Sequence, residues 1–447
     1  MRTILVVGGG YAGFYTAWKL EKKLRRYEAK VVLVEPRPYM TYQPFLPEVL
    51  AGSVESRHAA VSLRRHLHKT QIISGWVTSV NHADRTATVR PLEGDEFELR
   101  YSVIVVTAGA ITRQLGVPGV AEEAIGLKHV EEAVAIRDQM LTAFDRAATM
   151  KAGPERSKLL TVTFVGGGFT GVEGFGELLG LATALTKKYP ELWPEDLNFH
   201  LVEATGRILP EVTQKPGEWV VRSLEKRGGH VHLGTTVESA KDGHVVLSNG
   251  EEFDTNLIVW VTGIAANPMV HNQTDLPINN KGMLVVRADL RVGTEENPVE
   301  DAWGAGDDAV VPDLASGPGA YTVPNAQNAV RQGKLLAKNI LASLRGRKVK
   351  QYLHHSLGTV ATLGLGHGIF QYKRIVIKGL PAWLMHRGYH VLAVPSWERK
   401  VRVLVIWLAA FVFGRDIVSL ASVQTPREAF VTDGEPPAAV PVHAMRE

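Results

Sequence analysis

In the first half of the chain, apolar residues fall into short unbroken runs rather than at helical spacing. Thr3–Val7 (TILVV), Lys30–Val34 (KVVLV), Leu160–Val165 (LTVTFV) and Leu197–Val202 (LNFHLV) each end on glycine or an acidic residue, which predicts buried strands. The first run passes into a glycine cluster and then a helical stretch through Trp18 to about Arg26; with Lys30–Val34 this makes a βαβ unit. The same order returns at Leu160, with a helix expected through Leu185. Each copy is followed by an apolar run closed by a threonine-glycine turn, Thr107-Ala108-Gly109 after VIVV and Thr262-Gly263 after LIVWV, in Val103–Gly109 (VIVVTAG) and Leu257–Gly263 (LIVWVTG). The device is present twice.

Smaller elements are legible between these units. Thr86–Arg90 with Glu96–Tyr101, and Val245–Phe253 with its Asn249-Gly250 turn, predict hairpins. Glu131–Met150 predicts a helix bridging the two copies. Beyond Val299 come a Gly304-Ala305-Gly306-Asp307 turn, a Pro/Gly-rich loop from Pro312 to Pro324, and a helix over Asn325–Leu344.

At 447 residues the chain is long enough for two or three cores. The absence of cysteine excludes disulfide scaffolds, Cys-ligated zinc, iron–sulfur clusters and thiol-borne electron transfer. A net charge of +4 gives no general nucleic-acid grip. The positive charge is local: eight basic residues from Lys373 to Arg415 face Glu398 alone. No secretory signal is visible, because Ile4–Val7 is only strand-length. Val403–Phe413, the longest apolar run, would span about 16 Å as a helix, against a hydrocarbon core of ~30 Å. On a helical wheel from Leu380, His386, Arg387 and His390 share one face, with Leu384, Met385, Tyr389 and Leu392 opposite, an interfacial pattern. With its basic flanks, the segment 380–415 fits a membrane surface or a protein interface. The pairs His66/His68, His230/His232 and His354/His355 lack the spacing of a metal site, and no metal is expected.

The chemistry begins at Gly8-Gly9-Gly10-Tyr11-Ala12-Gly13. Gly8 permits the tight turn, Gly10 lets a pyrophosphate approach the backbone, and Gly13 lets helix and strand pack closely, while the helix N-terminus attracts phosphate. Ala12 lies within that motif, and Glu35, 22 residues beyond Gly13, is placed to bond a ribose hydroxyl. Gly166, Gly168, Phe169, Thr170 and Gly171 repeat the motif, with Glu203 as its acid. A carboxylate there favours NADH over NADPH, although Arg207 lies close by. Two dinucleotide sites in one chain suggest a flavin in one and a nicotinamide delivered by the other. Asp307, after Gly304-Ala305-Gly306, is placed to bond a flavin polyol.

The ordered set Gly8–Gly13, Thr107-Ala108-Gly109, Gly166–Glu173, Trp260–Pro268 with Gly263, Gly304–Asp307 and Ala326-Gln327 resembles the two-dinucleotide flavoproteins. Within them it most resembles the type II NADH:quinone oxidoreductases, over roughly residues 1–422. That resemblance implies an α/β fold of two Rossmann-like domains, the NAD domain inserted in the FAD domain, plus a C-terminal membrane-associating helical segment. The bounds expected are 1–150 and 270–345 for the FAD domain, 151–269 for the NAD domain, 346–423 for the membrane-associating part, and a mobile tail at 424–447. It further implies non-covalent FAD, NADH as substrate, hydride transfer to flavin N5, and two electrons passed to a quinone without proton pumping. A homodimer on the cytoplasmic face of the cell membrane is expected.

By the same resemblance, Glu173 acts near the nicotinamide and flavin in proton handling or ring positioning; a plain helix-dipole carboxylate is the alternative. Gln327 abuts the flavin and the quinone. The family pattern Ala-Gln-x-Ala-x-Gln is altered here: Arg331 stands where the first later glutamine belongs, and Gln332 fits the next position. Gln327, Arg331 and Gln332 are thus the expected quinone contacts. Tyr42–Pro47 resembles a loop beside the flavin ring. Two other readings stay open: an NAD(P)H reductase for a soluble carrier such as a ferredoxin, and a redox-sensing flavoprotein with an interaction tail.

Overall fold

The computed structural model describes residues 1–419 together with Ala421 and Arg427, so nearly all of the tail expected at 424–447 lies outside the described residues. In chain order, the elements that build the site start with β1 (Arg2–Val7), α1 (Tyr11–Lys23), β2 (Ala29–Val34), α2 (Leu46–Leu50), β3 (Gln71–Ile73) and β4 (Val103–Val106). There follow β5 (Ala110–Thr112), β6 (Ala124–Ile125), α3 (Val130–Ala148), β7 (Thr161–Val165), α4 (Phe169–Leu185), β8 (Asn198–Glu203), β9 (Gly229–Leu233), β10 (Leu257–Trp260) and β11 (Ile264–Ala266). The last group is β12 (Arg291–Gly293), β13 (Pro298–Gly304), α5 (Ala326–Leu344), β14 (Thr359–Thr362), β15 (Gly368–Tyr372), β16 (Ile375–Lys378), α6 (Leu380–Ala393) and α7 (Trp397–Phe413).

The unbroken apolar runs become the parallel centres of two sheets, as expected of strands covered on both faces, the first carrying one antiparallel edge strand. The first has the order β12-β13-β4-β1-β2-β3, and the second β6-β10-β7-β8-β9. In each, the strand before the glycine turn is central, with its βαβ partner on one side and the strand that ends in the threonine-glycine turn, β4 or β10, on the other. The order reverses there, and a crevice opens at the carboxyl ends. Because β12 and β13 lie far beyond β10 in the chain, the second sheet is an insertion in the first. Its edge strand β6 precedes residue 150, so the second sheet draws on residues earlier than the expected 151–269. The two chain crossings between sheets are zipped together, β5 pairing antiparallel with β11 at Ala110↔Ala266 and Thr112↔Ile264.

The C-terminal part differs from the helical segment expected. It opens with a three-stranded antiparallel sheet, β14-β15-β16, before α6 and α7. These strands are short and β-branched (Val360, Ile375, Val376, Ile377), and pairing with one another lets them form where no long apolar run announces them. No helix among the described residues is long and apolar enough to cross a membrane.

Candidate functional site

The first glycine turn is built by close approach. Gly8 has φ +91, and a Cβ on Gly13 would overlap the Gly8 carbonyl oxygen. The Gly8 amide donates to Val34 O at 2.9 Å, and Thr107 Oγ1 donates to Val7 O at 2.8 Å, locking the turn to both neighbouring strands. Gly10, by contrast, has nothing within 4 Å of its Cβ position: the protein leaves that space to a ligand. The Glu35 carboxylate accepts from the Gly9 amide at 2.6 Å and from the Arg37 amide at 3.1 Å.

The second turn repeats this bonding. Gly166 has φ +117, and a Cβ on Gly171 would overlap the Gly166 carbonyl. The Gly166 amide donates to Val202 O at 2.8 Å, and Gly168 is open. Glu203 accepts from the Gly167 amide at 2.6 Å and the Thr205 amide at 2.7 Å. The Arg207 guanidinium turns away to the carbonyls of Leu209, Pro210 and Val212, so it offers no ready partner for a 2′-phosphate beside Glu203. Phe169 and Thr170 start α4, and Gly263 sits exposed at the Thr262-Gly263 turn after β10, its carbonyl accepting from the Arg113 amide.

A cavity of about 700 Å³ opens at the carboxyl ends of the first sheet. Gly8, Gly10, Ala12, Glu35, Thr107, Ala108, Gly109 and Asp307 all line it. Tyr11, Gln43, Lys128 and Asn267 line it too; of these, Lys128 alone lies outside every stretch singled out in the sequence. Asp307 Oδ1 is buried with no hydrogen-bond partner in the protein; burial raises the carboxyl's pKa, and the Lys128 ammonium opposes the shift. An unmatched acceptor aimed at an open cradle is what a polyol ligand satisfies. Next to it, burial pushes Asp308 up to about 7 against the pull of nearby amides. Lys128 also donates to the Ala110 carbonyl.

Glu173 lies elsewhere, under the C-terminal helices. Its Oε1 accepts from the Thr362 amide at 3.0 Å and lies 3.2 Å from His386 Nε2. Glu177, one turn further along α4, accepts from Thr362 Oγ1 at 2.8 Å and pairs with Arg415 at 3.1 Å. Glu48 of α2 meets Arg387 at 3.2 Å and Trp407 Nε1 at 2.8 Å. The Arg387 guanidinium lies over the rings of both Trp383 and Trp407. Burial raises Glu48, and Arg387 is the largest opposing influence. The face of α6 that carries His386 and Arg387 is therefore turned inward onto carboxylates, and Leu384 and Leu392 are left in solvent.

From this cluster a polar path runs towards the cavity. His386 stands 4.4 Å, ring to ring, from His390, whose Nδ1 is 3.2 Å from the Tyr42 hydroxyl. Burial, then His386, holds His390 well below its ordinary range. Tyr42 packs edge-on to Tyr11, and the Tyr11 hydroxyl accepts from the Gln43 amide at 3.0 Å.

The Ala-Gln helix is α5, capped by the Asn325 side chain on the Asn328 amide. Gln327 is half-buried there. Gln332 is buried: its Oε1 accepts from the Gly306 amide at 2.9 Å, and its amide donates to Thr322 Oγ1 at 3.2 Å. It braces the turn before Asp307. Arg331 donates to the Gln327 carbonyl at 2.8 Å. Neither Gln327, Arg331 nor Gln332 lines the cavity that holds Asp307.

A family model described as pyridine nucleotide-disulphide oxidoreductase matches residues 2–333. The chain belongs to that family. Its α/β fold is the one the sequence led us to expect, and the resemblance to type II NADH:quinone oxidoreductases stands among relatives of this pyridine nucleotide-disulphide oxidoreductase. It is 28% identical over 424 residues to a Dictyostelium discoideum protein named "Probable NADH dehydrogenase", covering 93% of this chain and 91% of that one. It is 28% identical over 385 residues to a Haemophilus influenzae type II NADH:quinone oxidoreductase, covering 81% and 85%. The structure of NDH2 from Plasmodium falciparum, solved in complex with NADH, shares the fold with TM-score 0.85 at 18% identity, covering 93% of this chain and 99% of that one. The disulphide of the family's name is absent from this member, which has no cysteine.

Lys128, Asp308 and Glu48 carry no motif in this member of the family, and His386 and His390 were marked in the sequence only as one face of a helix. Their partners lie far away in the chain, as with Glu48 and Trp407, 359 positions apart, so no local pattern marks those contacts.

Proposed function

We propose that this chain is a flavoenzyme that oxidises NADH and reduces a membrane quinone without pumping protons. One observation carries the reading: two cradles, alike bond for bond at Gly8/Gly166, Gly13/Gly171 and Glu35/Glu203, stand in one cysteine-free chain, which leaves hydride transfer between two bound rings rather than a dithiol relay. The first cradle is assigned to FAD, because the cavity there has an open Gly10 and an unmatched Asp307. Bound FAD supplies the hydride acceptor and the two-electron store. Gly8, Gly10, Ala12 and Gly13 seat its pyrophosphate, Glu35 its ribose, Asp307 its polyol, and Thr107, Ala108 and Gly109 close the opposite wall.

NADH is assigned to the second cradle, on Gly166, Gly168, Phe169, Thr170 and Gly171 with Glu203 and Gly263. The carboxylate there and the diverted Arg207 support NADH over NADPH. Glu173, bonded to Thr362 and His386, is assigned to proton handling, and Gln327, Arg331 and Gln332 to the acceptor side. The domain bounds we assign are 1–150 with 270–345, 151–269 and 346–423, save that β6 (Ala124–Ile125) goes with the second sheet. Membrane attachment through 380–415 is supported by an exposed stripe at helical spacing on α7, Val401, Leu404, Val405, Leu408 and Val412, and the cytoplasmic face is assigned from the family resemblance alone. A homodimer on that face is the second reading of the same stripe.

The test is NADH consumption by the purified yellow protein, in lipid, with a short-chain quinone or with a ferredoxin as acceptor. Flavin bleached by NADH and restored by quinone is the expected result. Restoration by the ferredoxin alone would replace this reading with that of a soluble-carrier reductase.

A further inference from the structure

α1 and α5 cross at very short range: a Cβ on Gly333 would overlap the backbone of Ala12, and the Thr16 hydroxyl lies 2.7 Å from Ala12 O and 3.1 Å from Gly333 O. Such an approach brings the helix faces beyond it together as well. One turn further on, Lys19 and Lys23 of α1 face Lys334 and Lys338 of α5 across a hollow of about 130 Å³, with Ala337 completing the lining. Lys19 and Lys334 are shared with a second hollow of about 550 Å³, whose far wall is the α6–α7 turn from Leu392 to Lys400. The acid in that wall, Glu398, is already held by Arg65 at 2.8 Å and Arg402 at 2.9 Å.

Two Lys pairs at i,i+4, facing each other, destabilise both helices and their packing. Lys23 gains from the C-terminus of α1, but Lys334 and Lys338 lie in mid-helix and gain nothing of the kind. No carboxylate among the described residues pairs with any of the four. Burial lowers Lys334, and Lys19, Arg331 and Lys338 lower it further. The cage therefore lacks an anion. The adjoining hollow, which shares Lys19 and Lys334, supplies the rest of the recognition on its far wall: Leu392 and Trp397 are 71% and 78% exposed, an aliphatic and an indole placed as at a bilayer interface.

We propose that Lys19, Lys23, Lys334 and Lys338 bind the phosphate headgroup of an anionic phospholipid, while Leu392 and Trp397 enter the acyl layer beside it. This rests on the membrane reading above. Ammonium groups suit it, being point charges with rotatable donors, and a free phosphate would leave the apolar wall unused.

The test is co-sedimentation of the full flavin-loaded chain with phosphatidylcholine vesicles, with and without phosphatidylglycerol. A Lys19→Gln/Lys334→Gln/Lys338→Gln variant is compared with Lys22→Gln/Arg25→Gln/Arg26→Gln, which removes equal charge beside the cage but not from its lining. Diffuse attraction contributes roughly fivefold per cation to both. The cage variant is expected to lose at least tenfold more affinity for phosphatidylglycerol vesicles than the neighbour variant, with binding to pure phosphatidylcholine unchanged. Equal losses overturn the site and leave the membrane reading standing. Wild type that binds neither vesicle overturns the membrane reading itself. Inorganic phosphate alone, bound calorimetrically as tightly as the anionic vesicles and lost in the cage variant, overturns the lipid assignment. Should the triple variant lose its flavin, the single Lys334→Gln variant carries the same comparison.

Discussion

Replacing Gly171 by alanine separates the two cradles experimentally. The new methyl would overlap the Gly166 carbonyl, and the helical backbone of α4 cannot rotate it away. Relief requires α4 to withdraw from β7, carrying with it the amides that would face a pyrophosphate. Overpacking of this kind costs about 1–3 kcal/mol. If half of the upper figure, about 1.5 kcal/mol, appears as lost dinucleotide affinity, the KM for NADH rises roughly tenfold, since 1.4 kcal/mol is a factor of ten. The flavin lies on the other sheet and should stay at wild-type stoichiometry, read from the visible absorbance of the purified protein. Gly13→Ala meets the same obstacle at Gly8 and should do the reverse, releasing flavin during purification. Steady-state kinetics and flavin spectra of the two variants decide the matter. Loss of flavin from Gly171→Ala with NADH kinetics intact would show the cradle assignments to be inverted.

Three further outcomes are expected. Glu173→Gln should slow quinone-dependent turnover about a hundredfold, within the range of lost acid–base catalysis, with NADH still reducing the flavin at the wild-type rate in stopped flow; equal slowing of both steps would assign the carboxylate to hydride transfer instead. Glu48→Leu leaves the Arg387 guanidinium buried and unpaired, at a cost of about 3–5 kcal/mol, and should expose the α6–α7 turn to limited proteolysis well before the glycine cradles unfold. His200, packed against His230, His232 and Phe253, is pushed down to about 3, first by burial and then by His230 and His232. Its neutral form is favoured by folding, so its contribution is complete above the unfolded value near 6.5 and is lost as pH falls from there towards 3, by up to ~1.4 kcal/mol per pH unit. His200→Phe should flatten the fall in melting temperature between neutral and mildly acidic pH, and an unchanged fall would place the linkage elsewhere.

The dinucleotide cradles were legible because each is built within some thirty consecutive residues: strand, glycine turn, helix, strand and acid are neighbours in the chain, and the backbone conformations at Gly8 and Gly166 demand glycine whatever surrounds them. The insertion of one sheet in the other was expected only through the family resemblance; the repeat by itself says that the unit occurs twice, not that one copy interrupts the other. The C-terminal part was only half legible. Its apolar and basic composition was plain, but the β14–β16 sheet was not, since its strands are short and carry no turn signal strong enough to place them. Nor did the helical wheel say which face of α6 turns inward. A wheel sorts residues by type, and the usual rule buries the apolar face. Here Glu48 and Glu177 arrive from α2 and α4 to neutralise Arg387 and Arg415, with Glu173 against His386, and a paired charge can be buried where an unpaired one cannot. Local chain order therefore determined the two nucleotide cradles, whereas the meeting of residues hundreds of positions apart decided the carboxylate–histidine cluster, the empty partner of Asp307 and the outward apolar stripe, because those depend on which charges find a counter-charge in three dimensions.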